Sequence, residues 1–247
     1  RVVILSFFDI SVINILTFTL GYTLYITIGI SMKKAIIFTK LFFLLSLCLN
    51  NLIARPVSYT GGLTLMSYND YYKNTLLTHY SPTSKISYGY MIQYWQNKEY
   101  WINAFNVNYL AKRVNKKYSQ ANIYLKGGLG LLNTNYKDYN NKNELVSYGE
   151  FALDWETRRY FTSYAASFIK SESVDGTLMQ KSRIGIAPYI AGYGALHTWL
   201  MYELQNMPEY EDTLVSNFVL RLFKSTNLLE LGIDQNKNTT INFIKRF

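Results

Sequence analysis

Thr239-Thr240-Ile241-Asn242-Phe243-Ile244-Lys245-Arg246-Phe247 closes the sequence and sets its reading. One parity carries Ile241, Phe243 and Phe247; the other carries Asn242, Ile244 and Arg246. A period of two is the mark of a strand with two unlike faces. A soluble edge strand is normally blunted by charge or proline, whereas this one runs into an aromatic residue. Such a strand suits a sheet closed on itself, where no edge remains.

Moving inward, residues 55–247 divide into alternating segments separated by turn chemistry, with no sustained helical period. Strands are expected at 61–67, 75–81, 85–96, 100–112, 121–132, 145–155, 159–169, 177–189, 196–205, 214–223, 228–234 and 239–247. Twelve is an even number, and about sixteen residues per strand and turn suits tilted strands of nine to eleven. The connections alternate in length. Residues 133–144 form the longest and 206–213 is long and acidic, while 156–158, 191–194 and 224–227 are short. Two blur the pattern: 97–99 is short on the long side, and 113–119 is long on the short side.

Composition agrees with this pattern. The chain is 17% aromatic, with 23 Tyr, yet its mean hydropathy is only -0.04. A barrel in lipid balances in this way, each apolar outward residue being matched by a polar inward one. A secreted all-β sandwich is the alternative that composition leaves open.

The terminal Phe247, the alternation before it and the strand count together resemble bacterial outer-membrane β-barrels. In that class the last strand ends in Phe and is read by the assembly machinery, so Phe243 and Phe247 are the expected assembly signal; Lys245 departs from the pattern. The resemblance implies an all-β fold, an antiparallel up-and-down transmembrane barrel. It also implies an outer-membrane location, contact with lipid and lipopolysaccharide, and handling by the barrel-assembly machinery. A monomer is expected.

The N-terminal region fits export. Lys33-Lys34, an apolar run over 35–49 and Ala54 describe a signal peptide over 32–54, which precedes a barrel over 55–247. Residues 1–31 are expected to be translated sequence upstream of Met32; their uncharged run over 10–30 is also long enough for a membrane helix. Once Arg1, Lys33, Lys34, Lys40 and Asp9 are set aside, the barrel keeps 21 basic and 15 acidic residues, a net +6. No Lys/Arg run exceeds two, so nucleic acid is not an expected partner. The one cysteine, Cys48, lies in the leader, so the barrel has no thiol chemistry.

Parity assigns the faces. Ile86, Tyr88, Tyr90, Ile92 and Tyr94 read as outward, as do Phe105, Val107 and Tyr109, then Phe151, Leu153 and Trp155, then Leu229, Leu231 and Ile233. The opposite rows hold Gln93, Asn106, Asn108, Lys126, Glu150, Asp154, Lys181, Arg183, Glu203, Arg221, Glu230 and Asp234. Arg or Lys at mid-membrane on the lipid side costs about 2–4 kcal/mol, so these rows belong to the lumen. Twelve tilted strands enclose a backbone radius of roughly 12 Å, which inward side chains narrow to a slender bore or none. Mixed signs favour a salt-bridged interior over a selective ring.

A structural role or passage of small solutes is therefore the leading expectation, with no catalysis and no cofactor. Two alternatives have named residues. Met91, His197 and Met201 on inward parity, with Met66 and Met179 nearby in pattern, could handle a soft ion such as Cu(I); methionine as gap-filler is the simpler reading. His79-Tyr80-Ser81 is similar to the His-x-Ser arrangement of the outer-membrane phospholipase. There Asn-Gly follows where this chain has Pro82, and His and Ser face the membrane. A lipid-acting enzyme would need that same placement here. Gly127-Gly128-Leu129-Gly130 falls mid-strand, so it reads as room for inward aromatics such as Tyr124 rather than a phosphate cradle.

Overall fold

A computed structural model describes residues 57–96, 99–134, 141–174, 177–192, 194–208 and 214–247. The expected leader and everything before it lie outside the described residues. Twelve strands follow in order: β1 (Gly62–Asn69), β2 (Lys73–Ser81), β3 (Ile86–Trp95), β4 (Tyr100–Asn115), β5 (Ser119–Thr134) and β6 (Lys142–Thr157). Then come β7 (Tyr160–Lys170), β8 (Thr177–Ile186), β9 (His197–Asn206), β10 (Val215–Lys224), β11 (Asn227–Asp234) and β12 (Thr239–Arg246). The described residues contain no helix. Each strand pairs antiparallel with its sequence neighbours, and β1 pairs with β12, giving a closed barrel. An open sandwich is thereby ruled out.

The seam is tied by more than the ladder. Phe247 N–H donates to the Leu63 carbonyl at 2.9 Å, and the Tyr59 hydroxyl donates to the Phe247 main-chain oxygen at 2.5 Å. Lys245 faces outward with its ammonium 5.1 Å from the Phe247 ring centroid, a cation–π contact that accommodates the one charge in the outward row.

The alternation resolves into inside and outside. In β4, Phe105 is 74% exposed while Ala104 and Asn106 on either side are 0% and 2% exposed. The outward rows of β3, β4, β6 and β11 are those the sequence pattern marks.

Three local features differ from expectation. The segment 113–119 is strand for most of its length, leaving a turn of only 116–118. Pairing of β4 with β5 slips between Leu110 and Lys112, so Ala111 is a bulge residue and inward parity changes from even to odd. Arg113 therefore points inward, its Nε donating to Asn122 Oδ1 at 2.8 Å. The extra residue broke the alternation and made the strand look finished. In addition, β8 ends at Ile186 and the next strand begins at His197, so the connection is longer than 191–194 and opens at the end expected to have short turns. Finally, β5 and β6 extend into 133–144, of which 135–140 lies outside the described residues.

Tyr148, rather than Tyr124, fills the space left by Gly128. A Cβ there would overlap the Tyr148 ring and the Phe105 carbonyl, so only glycine lets the inward aromatic lie flat on the wall.

Candidate functional site

The lumen has three levels. At the terminal end, where β1 begins and β12 finishes, Val57 is buried against Leu110, Tyr124 and Ala152. Ser58 N–H donates to Ser81 Oγ at 3.0 Å, so the segment leading into β1 tucks into the mouth instead of running along its rim. At the distal end a larger apolar cluster joins Tyr72, Trp95, Tyr100, Ile102, Leu132, Val146 and further inward residues of β3 to β9. Trp95 and Tyr100 stack at 5.7 Å. The β7–β8 connection folds over this cluster: Ser173 donates through N–H (2.7 Å) and through its hydroxyl to the Glu144 carboxylate, and Val174 is buried beneath.

Contact reaches across the barrel. Lys73 Nζ lies 3.6 Å from Met179 Sδ; β2 and β8 stand six apart in a ring of twelve, hence on opposite walls. A cavity of about 470 Å3 runs along the lumen past both apolar clusters, its lining extending from Asp70 and Asn238 at the distal end to Glu156 and Phe161 at the other.

One wall of the cavity is charged. Arg183 on β8 donates bidentately to Glu230 on β11, with Nη1–Oε1 at 2.9 Å and Nη2–Oε2 at 3.2 Å, and its Nε donates to Glu203 on β9. Arg221 Nε adds a bond to Glu230 at 2.7 Å, Lys181 Nζ lies 3.2 Å from Glu203, and Asn242 Nδ2 donates to Glu230 at 2.9 Å. Five consecutive strands are thus cross-linked by two carboxylates. Arginine suits the task because its planar fork meets a carboxylate in two places. Below it, the Arg221 guanidinium sits 4.8 Å over the Phe161 ring, which in turn meets Trp199 edge-on.

On the wall built by β2, β3 and β4 a neutral polar cluster surrounds His79. His79 Nδ1 receives Asn108 Nδ2 at 2.8 Å and faces Asn106 Nδ2 at 3.4 Å. Asn108 Nδ2 also reaches Ser87 Oγ at 2.9 Å. Gly89 makes this possible, because a Cβ there would lie 2.8 Å from His79 Nδ1. With amide donors on Nδ1, the imidazole is the tautomer carrying its proton on Nε2. Asn108→Ala should cost about 1–3 kcal/mol by leaving a buried ring nitrogen with only a long contact; chemical unfolding of the refolded protein measures it.

The remaining sequence-marked residues fall as follows. Lys126 pairs with Glu150 at 2.6 Å, and Asp154 accepts from Asn122 at 2.6 Å. Asp234 is occupied by a turn, its Oδ1 accepting from the N–H groups of Asn236 and Asn238, each at 2.8 Å. Met91 and Met179 sit in the distal apolar cluster. Met201 packs instead near Gly185, and His197 lies against the Phe223 ring at 5.9 Å. Met91, Met201 and His197 thus have different neighbours, on β3 and β9 at opposite sides of the ring. His79 and Ser81 are buried and inward, which removes the lipid-facing placement that the enzyme alternative needs. Phe243 and Phe247 are on the outward row, Phe247 being exposed.

Lys73, Arg113, Glu144 and Val57 are lumen residues beyond those that the alternation marks. Lys73 continues the inward row Thr75, Leu77, His79, and extending that parity by one step would have found it.

No protein-family model and no curated protein matches this chain. Among solved structures it is similar to the KdgM porin in complex with disordered oligogalacturonate, with 9% identity, a TM-score of 0.45, and 75% of this chain and 98% of that one covered. It is similar to the beta domain of the Bordetella autotransporter BrkA, with 10% identity, a TM-score of 0.42, and 75% and 96% covered. It is also similar to LpxR from Salmonella typhimurium, with 8% identity, a TM-score of 0.40, and 75% and 99% covered. The fold itself rests on the strand order and register given above.

Proposed function

We propose that this chain is an integral outer-membrane barrel of a Gram-negative envelope whose interior is a narrow, stoppered passage for small solutes. The observation that carries the reading is the cavity of about 470 Å3 inside a closed barrel, with an apolar cluster crowding the lumen towards either end. The outward rows support the membrane part: Phe105, Leu129, Leu145, Ile184 and Phe218 are each more than 60% exposed, a cost that lipid contact removes. Residues 32–54 act as the export leader in this reading. Lipid and lipopolysaccharide surround the barrel, and the assembly machinery engages Phe243 and Phe247.

Two measurements test it. Phe151 is outward near the middle of β6, so Phe151→Arg should cost about 2–4 kcal/mol in bilayers, read from the urea midpoint of protein folded into vesicles. An unchanged midpoint would remove the membrane assignment. Planar-bilayer recording should show rare, small openings from the intact chain. A large steady conductance would contradict the stoppers, and complete silence, even with Trp95 and Tyr100 cut back to alanine, would leave a purely structural barrel.

A further inference from the structure

Lys73 stands apart from the charged wall. Lys73 lines the cavity from β2, and among the described residues its ammonium meets the Met179 thioether at 3.6 Å and the face of the Trp95 ring at 4.8 Å. A lysine carries three N–H donors. A thioether is a weak acceptor and a π face is none in the ordinary sense, so the donor capacity of Lys73 is largely unspent. Among the described residues no carboxylate pairs with it.

The acids within electrostatic reach of Lys73 are Asp70, Glu150 and Glu203, together with the basic Lys181. Glu150 and Glu203 are committed to other cations, and Asp70 spends one oxygen on the main chain. Asp70 Oδ1 accepts from the main-chain N–H groups of Tyr72 (2.9 Å) and Lys73 (2.8 Å). Glu150 holds Lys126, and Glu203 holds Arg183 and Lys181. A buried ammonium without an anionic partner is costly unless something brings one.

The surroundings describe what that something is. Met179, which touches the ammonium, lines the cavity together with Leu77, Met91 and Ile169, so one end of a guest meets charge and the rest meets apolar surface. The nearby carboxylates repel a second negative charge, which selects a monoanion over a phosphate dianion. The volume lies within the ordinary range for small-molecule sites, about 300–1,000 Å3.

We propose that the cavity binds organic monocarboxylates, the carboxylate accepting from Lys73 Nζ and the apolar body lying against Leu77, Met91 and Met179. This deepens the solute-passage reading by naming the solute class, and it rests on that reading only for its physiological purpose.

The test uses the full chain refolded in detergent, with sodium benzoate as probe in titration calorimetry. Benzyl alcohol serves as the uncharged analogue and inorganic phosphate as the dianion. Benzoate should bind at least about tenfold more tightly than either. Lys73→Met should lower benzoate affinity by about tenfold or more, and Lys73→Arg should recover most of it. The difference in gel mobility between heated and unheated samples establishes that each variant is a closed barrel. Equal binding of benzoate and benzyl alcohol, unchanged benzoate affinity in a folded Lys73→Met barrel, or no benzoate binding by the folded parent overturns the proposal. Conductance separates the two ideas. Lys73-dependent binding by a barrel that never conducts upholds the site and rejects passage, whereas conduction without benzoate binding rejects the site and keeps passage.

Discussion

Arg183→Met should lower the unfolding free energy of the refolded barrel by about 3–5 kcal/mol. Among the described residues Arg183 alone pairs with both Glu203 and Glu230, and both carboxylates are nearly inaccessible to water, with 3% and 4% of their side chains exposed. Removing the cation leaves Lys181 on Glu203 and Arg221 on Glu230, so each acid keeps one partner but loses the fork that joins them. The penalty comes from carboxylates that stay out of water with fewer hydrogen bonds and weaker pairing, because taking a carboxylate out of water costs several kcal/mol. Replacing the whole network (Lys181, Arg183, Glu203, Arg221 and Glu230) by apolar residues of similar volume strands no charge and should therefore be milder than the single change. Urea unfolding followed by tryptophan fluorescence gives both numbers. A single variant within about 1 kcal/mol of the parent would mean that water reaches these groups and screens them.

Trp95→Ala should act on stability and conductance together. Trp95 is 1% exposed, stacks on Tyr100, donates its indole N–H to Gln93 Oε1 at 2.8 Å and carries Lys73 over its face. Truncating a buried tryptophan costs about 3–5 kcal/mol through lost transfer and the cavity left behind. Here the vacancy would join the lumen cavity and thin the distal stopper, so channel openings should become larger and more frequent. Trp95→Phe should restore much of the packing but not the bond to Gln93, giving an intermediate loss. A Trp95→Ala barrel with parental stability and parental conductance would show that the distal cluster neither supports the wall nor blocks the bore.

Which side of each strand faces inward was legible because it depends only on neighbours two apart. Ile86 through Trp95 alternate without interruption, so the sorting of Tyr88 and Tyr90 outward and Met91 and Gln93 inward needs no knowledge of the other strands. It failed where an extra residue intervenes: Ala111 reverses the sense for Lys112 and Arg113, and local pattern cannot distinguish a bulge from a strand end. Partnership across the lumen was not legible at all. That Arg183 meets Glu230 three strands away, or that Lys73 meets Met179 six strands away, depends on the stagger of strands around the ring and on side-chain reach. The methionines show the same limit. Inward parity for Met91 and Met201 is a statement about two walls, and opposite walls bring side chains together only if something spans the space between.

The pairing of β1 with β12 also bears on how such a barrel can be made. Thr64 must find Arg246, and Asn69 must find Ile241, so the last ladder joins residues separated by nearly all of the described chain. Every other ladder is a local hairpin and can form early; this one must wait, because long loops are slow to close. During the wait two bordering strands present unsatisfied N–H and C=O groups, each able to capture its counterpart from another copy. Yield in refolding should therefore fall as protein concentration rises, with paired barrels as the by-product, and agents that shelter one open border should favour the single closed ring.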